Sequence, residues 1–304
     1  MSRRIFLTGG SGLLALNWAA DLRTSHDVVL GLHERQVRLD GTEGAPCRLE
    51  TLDDARRTLA GAEPSLVIHA AGLTSVEGCE ADPDLARLAN VTLAANVAVA
   101  CAEAGVPLVH VSTDHLFDGT DPLATETRPV SPLNVYGATK AEAEREVLDA
   151  HPDALVVRTN FYAWGMPWRS SFSDMIVDGL RAGRSLTLFH DVFYTPIHTA
   201  PQREAVFDLV AAGARGVVNV VGDERLSKLD FGRRLAEVFG LDADLIQAGS
   251  ITDRTALVQR PMDMSLSNER VRTLLGRSLG GVDAHLTLLQ QQERSGLAQE
   301  LRTL

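Results

Sequence analysis

Between residues 4 and 159 short β-rich runs alternate with helical patterns, and that rhythm confines the chain to a parallel sheet covered by helices on both faces. Strands are predicted at Arg4 to Thr8, Asp27 to Leu32, Pro46 to Leu49, Ser65 to Ala71, Pro107 to Thr113 and Ala154 to Thr159. Helices are predicted near Gly12 to Arg23, Leu52 to Ala60, Pro83 to Ala104 and Asn134 to Ala150. The fold class is therefore α/β, a doubly wound sheet of Rossmann type.

After Thr159 the rhythm breaks. Asn160 to Ser171 is a loop rich in aromatics and turn residues, with Trp164, Gly165, Pro167 and Trp168. Helices follow near Phe172 to Ala182, Pro201 to Ala212 and Ser227 to Phe239, the last opened by a Ser cap. Gly216 to Val221 reads as a strand, and the tail from Ser267 as helical but polar. No linker separates the halves, so a smaller C-terminal substrate-binding lobe should interleave with the first domain. The division expected is 1–160 plus about 190–215 for the dinucleotide domain, and 161–189 with 216–304 for the lobe.

Thr8-Gly9-Gly10-Ser11-Gly12-Leu13-Leu14-Ala15 joins the first strand to the first helix. Glycines at such a turn let backbone approach a pyrophosphate, and the helix N-terminus supplies amides and positive potential. Gly9, Gly12, Leu13 and Leu14 are thus cofactor-binding candidates. Ala70, Ala71 and Gly72, small residues at the end of the fourth strand, would let a dinucleotide cross the strand tips. A ribose reader would sit near the end of the second strand, where Leu32-His33-Glu34-Arg35 stands. Glu34 could bind a ribose hydroxyl, and His33 and Arg35 could take a 2'-phosphate. With no acid at the strand end itself, NADPH is favoured, with NADH the alternative.

Tyr136 and Lys140 are four residues apart, on one helix face. A free phenol, with a pKa of roughly 10, is a sluggish acid-base group at neutral pH, and a nearby cation would lower that value. Lys140 is expected to be that cation and to hold the cofactor ribose. Thr113 closes the fifth strand at the sheet edge where such folds bind ligands, and can hydrogen-bond a substrate carbonyl.

Together these residues resemble the extended short-chain dehydrogenase/reductases, and within them the dTDP-4-dehydrorhamnose reductase-like family. The resemblance is carried by the glycine turn, Ala70 to Val76, Ser112-Thr113-Asp114, Phe117-Asp118-Gly119, Ser131-Pro132-Leu133-Asn134-Val135-Tyr136-Gly137, Lys140, Val157-Arg158-Thr159, Arg260-Pro261 and Ser265 to Asn268. It implies a catalytic trio of Thr113, Tyr136 and Lys140, with Thr74 and Val76 at substrate-pocket positions. The implied reaction is NAD(P)H-dependent reduction of a nucleotide-bound 4-keto-6-deoxy sugar, without a metal. A homodimer through the helix after Lys140 is possible by the same resemblance.

Two departures fall in the pocket. His115 replaces the family's usual Tyr, and Phe161 replaces its Trp, following Asn160 in place of Ser. His115, Asn160, Trp168 and Arg260 are the remaining substrate-binding candidates: the tryptophan could stack on a base or sugar, and the arginine meet a diphosphate. Two other readings stay open. One is an epimerase of the same fold, with His115 or Cys79 moving protons. The other is a non-catalytic, cofactor-binding regulatory subunit.

Composition sets the outer bounds. The net charge of −11 argues against nucleic acid as a partner, and Cys47, Cys79 and Cys101 lack metal-ligand spacing. The apolar run at the start is far short of a signal-peptide core, and no later stretch reads as a membrane span. A cytoplasmic location is expected.

Overall fold

The computed structural model describes residues 3–254 and 256–304. Seven parallel strands form the central sheet: β1 (Arg4–Thr8), β2 (Asp27–Leu32), β3 (Glu43–Pro46), β4 (Leu66–His69), β5 (Leu108–Val111), β6 (Leu155–Arg158) and an edge strand, Gly216–Asn219. Their spatial order is β3-β2-β1-β4-β5-β6-edge. The order reverses direction between β1 and β4, the switch point at which doubly wound sheets bind ligands.

Side chains alternate strictly between two apolar cores. Ile5, Leu7, Val28, Leu30, Leu66, Ile68, Val109, Leu155 and Val157 join the core shared with α1 (Leu13–Leu22) and the second lobe. Phe6, Val29, Val67, Leu108 and Val156 join the opposite core, under α2 (Leu52–Ala62) and the helices that follow β4. Those helices are α3 (Val76–Ala81), α4 (Pro83–Arg87), a π-helical segment at Leu88–Thr92, and α5 (Leu93–Ala104). After β5 comes α6 (Val135–Ala150), packed against α5.

The second lobe is built from α7 (Phe172–Arg181), α9 (Lys228–Phe239) and two small strand pairs, Leu186–Phe189 with Ile246–Gly249 and Phe193–Tyr194 with Leu226–Ser227. Between α7 and α9 the chain returns through α8 (Thr199–Ala211), which packs on α1. Gln202 of α8 ties the two, accepting from Trp18 Nε1 at 3.3 Å and donating to Thr159 Oγ1 at 2.9 Å. α10 (Glu269–Leu275), α11 (Val282–Arg294) and α12 (Leu297–Arg302) complete the chain.

Four expectations are corrected. Gly216–Asn219, assigned from sequence to the substrate lobe, pairs with β6 as the edge of the central sheet. The third strand lies at Glu43–Pro46 rather than Pro46 to Leu49, because β2 ends at Leu32, opposite Pro46; Cys47 and Leu49 are buried beyond the ladder, and apolarity reports burial rather than pairing. The tail is not simply polar, since Val271, Val282, Leu286, Leu289 and Leu301 enter the core. Finally, Pro83–Ala104 is a 22-residue run long and apolar enough by composition to cross a membrane. Here it is interrupted by the π-helical turn, and Val97, Ala98 and Cys101 pack in the core under the sheet.

Candidate active site

Asn134 caps α6 by accepting the Gly137 N–H at 2.9 Å, which launches Tyr136 and Lys140 from the first turn. Gly137 is required because the Ser112–His115 loop crosses directly over it: a Cβ there would lie 2.4 Å from the His115 carbonyl oxygen. That close crossing puts the Tyr136 and Thr113 side chains on one wall of the cleft, with Thr113 Oγ1 donating to Asp114 Oδ1 at 3.3 Å. Thr113 Oγ1 also accepts the His115 N–H at 3.3 Å, and the His115 ring meets Tyr136 edge-on with centroids 5.5 Å apart.

Burial dominates the electrostatics of this floor. It pushes the Tyr136 phenol up to about 12, with the neighbouring Thr113 hydroxyl opposing the shift. The sequence predicts the reverse, a phenol lowered by Lys140. The difference is geometric: Lys140 Nζ donates to the Val111 carbonyl at 2.8 Å and to His110 Nε2 at 3.3 Å, into the sheet rather than toward the phenol. Burial in turn lowers the Lys140 ammonium to about 8, with Glu144 opposing the shift. Glu144 lies one turn on, in a buried bidentate pair with Arg158 at 2.7 Å, and accepts from Ser112 Oγ at 2.5 Å. That pair fixes α6 to the ends of β5 and β6.

A cleft of about 720 Å³ runs from this floor to the glycine turn, lined by Gly9, Gly12, Leu13, Leu14, Arg35, Ala70, Ala71, Gly72, Thr74, Val76, Thr113, His115, Tyr136, Asn160, Trp168 and Arg260. Of the predicted site residues only His33 and Lys140 lie off its wall. His33 opens on an adjoining cavity of about 540 Å³ that shares Gly9, Arg35, Ala71 and Gly72, and pairs there with Glu50 at 3.0 Å. Lys140 lies just beneath the floor.

The glycine turn fits a dinucleotide. Gly9 has φ of +66°, and a Cβ on it would come within 2.9 Å of the Ala71 backbone, so nothing larger leaves the strand tips clear. The first turn of α1 carries no acidic residue, leaving its positive end unopposed. Cys47, Leu49, Leu73, Leu85 and Leu93 give the adjoining cavity an apolar wall suited to a base.

Trp168 is placed differently from expectation. Its Nε1 donates to the Ser11 carbonyl at 3.1 Å and Arg35 stacks 4.7 Å over its ring, so it roofs the glycine-turn end of the cleft. Beside it Arg169 Nη2 donates to Thr74 Oγ1 at 2.8 Å, across the cleft. Arg260 pairs with Glu77 at the mouth, and its buried Nε has no partner among the described residues. Asn160 donates its side-chain amide to Asp114. Trp164 is a core residue whose Nε1 reaches the Leu289 carbonyl at 2.9 Å. Cys79 is buried under Leu73, with its thiol pushed up by burial, and lines no part of the cleft.

The matching family is the RmlD substrate binding domain, whose model covers residues 3–293. The chain belongs to this family. It is 32% identical over 296 residues to "Probable low-salt glycan biosynthesis reductase Agl14" of Haloferax volcanii, covering 94% of this chain and 96% of that one. It is 28% identical to the dTDP-4-dehydrorhamnose reductase of Mycolicibacterium smegmatis, over 89% of this chain and 80% of the relative. Methionine adenosyltransferase 2 subunit beta of Rattus norvegicus is 26% identical, over 90% and 83%. Among solved structures, a Bacillus anthracis dTDP-4-dehydrorhamnose reductase in complex with NADP superposes with a TM-score of 0.84 at 21% identity, covering 96% of this chain and 100% of that one.

Several residues of the site escape sequence pattern alone. Arg169 and Glu77 are ordinary charged positions until the fold brings them to the cleft. Asn90 sits in the π-helical turn, where its side chain accepts the Leu73 N–H at 2.8 Å and donates to Thr139 Oγ1 at 3.0 Å, joining the β4 tip to the catalytic helix. His110 was legible in principle: two residues before Ser112, it falls by strand alternation on the face that α6 covers.

Proposed function

We propose that this chain is an NAD(P)H-dependent reductase of a nucleotide-activated 4-keto-6-deoxy sugar. The observation that carries the reading is that Tyr136 and Thr113 lie together on the floor of a cleft that begins at the glycine turn. A phenol pushed up to about 12 by burial carries its proton at neutral pH, so that proton is in place for the oxygen of a carbonyl under reduction, and a cation brought near the ring would make it a stronger acid. The Thr113 hydroxyl orients the carbonyl beside it.

The nicotinamide cofactor, when bound, supplies the hydride. Gly9, Gly12 and the α1 amides would hold its diphosphate, Ala70 to Gly72 its path across the strand tips, and His33 and Arg35 a 2'-phosphate if NADPH is used. Thr74, Val76, His115, Asn160 and Arg260 would meet the sugar nucleotide, in the half of the cleft that the second lobe closes. The lobe so proposed comprises residues 161–194 and those after the edge strand, so the boundary expected near 190 moves past the Phe193–Tyr194 strand.

Two relatives carry reductase names over most of the chain. The likeness to a transferase subunit is the ground for the alternative of a non-catalytic, cofactor-binding subunit, which is not favoured over the reductase. An epimerase acting through Cys79 is disfavoured, because that thiol is outside the cleft. The test is NADPH absorbance with a panel of 4-keto-6-deoxy nucleotide sugars. Consumption with the sugar alcohol as product supports the reductase; stoichiometric binding without consumption across the panel sinks it.

A further inference from the structure

Beneath the catalytic floor three polar side chains form a row across the sheet. Thr8, His69 and His110 occupy paired positions on β1, β4 and β5, and each is at most 1% exposed. Strand alternation turns them toward the face that α6 covers, where Lys140 reaches down to the end of the row.

The protons of this row can be assigned. Thr8 Oγ1 accepts from the amides of Ala70 at 3.2 Å and Ala71 at 3.3 Å, so its own hydrogen goes to His69 Nδ1 at 2.8 Å. His69 then carries its hydrogen on Nε2. Burial pushes His69 down to about 3 and His110 well below the ordinary histidine value, so both rings are neutral. An ammonium only donates, so His110 Nε2 is the acceptor of the Lys140 contact and the His110 hydrogen sits on Nδ1. The rings stack, with centroids 5.4 Å apart and planes 20° from parallel, and neither His69 Nε2 nor His110 Nδ1 has a partner among the described residues. The row is therefore not a proton wire. It is a neutral, rigid acceptor under a buried cation.

Two of the three ammonium hydrogens are thus taken from below, by the Val111 carbonyl and by His110. We propose that His110 is a positioning residue for Lys140: its Nε2 lone pair, with the Val111 carbonyl, keeps the amine protonated and turned so that one N–H remains for a ligand in the cleft. The proposal deepens the reductase reading and rests on it for the role of Lys140. The charged and titratable groups around the amine are few. Glu144 on the same helix, paired with Arg158 of β6, favours the ammonium, His69 and His110 are neutral, and burial disfavours the charge. Removing the His110 acceptor removes one of the two hydrogen-bond partners that hold the ammonium from below, so Lys140 is expected to titrate at lower pH.

The test reads Lys140 directly, in the cofactor-free protein, by competitive acetylation across a pH series with mass-spectrometric quantification. The wild-type amine is expected to titrate near 8. His110→Phe keeps the stack on His69 and removes the acceptor, and should lower the titration by about one pH unit or more, a tenfold change in proton affinity. His110→Gln, whose amide oxygen can stand in for Nε2, should stay within about half a unit, on the same scale. His69→Phe, which leaves the acceptor in place, should not move it.

In turnover, activity that needs the ammonium is lost as pH rises through the Lys140 pKa. The alkaline limb should therefore begin at lower pH in His110→Phe and not in His110→Gln. A wild-type titration in His110→Phe, or a Gln variant that falls as far as Phe, overturns the proposal. Should His110→Phe fail to fold, His110→Met, a poor acceptor of similar length, reads the same titration. If the wild type reduces no nucleotide sugar, the reductase reading fails while the labelling result stands or falls separately.

Discussion

The floor and the roof of the cleft are built by different physics. On the floor, Thr113, Tyr136 and Lys140 are 5%, 9% and 6% exposed, and their partners belong to strand ends and to one helix that the sheet itself aligns. On the roof, Trp168 meets Ser11 across 157 residues of sequence, Arg169 meets Thr74 across 95, and Arg260 meets Glu77 across 183. Those contacts are single hydrogen bonds, a ring stack and one half-exposed ion pair. Buried polar contacts are costly to break and hold one geometry, whereas exposed ones contribute little and yield readily. The floor is thus suited to fixed chemistry and the roof to opening and closing on ligand.

The sharpest way to break that contrast is at Tyr136. If the floor supplies the proton, Tyr136→Phe should lower kcat by about 10²- to 10⁴-fold, the usual worth of a positioned general acid. Cofactor affinity, read by fluorescence titration, should change little, since the glycine turn and roof are untouched. A variant that kept a tenth or more of wild-type turnover would show that the phenol is not the acid.

The same contrast explains what sequence alone can read. The end of the fifth strand and the four-residue spacing on one helix face are local, and with the sheet edge they place Thr113, Tyr136 and Lys140 together before any coordinate is known. The direction of the Lys140 amine is not local. It depends on His110, 30 residues away on a strand, and so the expected lowering of the Tyr136 phenol gives way to a rise set by burial. On the roof the residue types themselves mislead. Trp168 in an aromatic loop suggests a sugar platform, yet the loop is folded back by Asp174, which accepts the Gly165 N–H at 2.7 Å and the Ser171 N–H at 2.8 Å, and the indole ends over the glycine turn. The edge strand shows the same limit at the level of topology, since nothing in Gly216 to Val221 names the strand beside it.

A middle-sized effect should come from the roof. Trp168→Ala removes one hydrogen bond and the Arg35 stack, interactions together worth about 1–2 kcal/mol in partly exposed settings. If the indole roofs bound cofactor, its Kd by calorimetry should rise about tenfold at most, since a tenfold change corresponds to about 1.4 kcal/mol. Turnover at saturating cofactor should stay within about twofold, because the general-acid floor remains intact. Trp168→Phe, which keeps a ring for Arg35, should recover part of the affinity. A large fall in kcat with unchanged Kd would instead join Trp168 to the floor and dissolve the distinction.

The smallest effect should come from the mouth. Glu77 holds Arg260 in an ion pair whose side chains are 46% and 29% exposed, and the carboxylate competes with any anionic group that the guanidinium could bind. Half-exposed pairs of this kind are worth about 0–1 kcal/mol, so freeing Arg260 with Glu77→Gln should lower KM for an anionic nucleotide sugar by no more than about fivefold. Screening then gives the discriminating measurement. The gain should be greatest at low ionic strength and fade at about 1 M salt, where the Debye length falls to about 3 Å. A KM that rises at low salt would mean that the Glu77–Arg260 pair shapes the mouth rather than occupying a ligand's place, and the roof would then be as fixed as the floor.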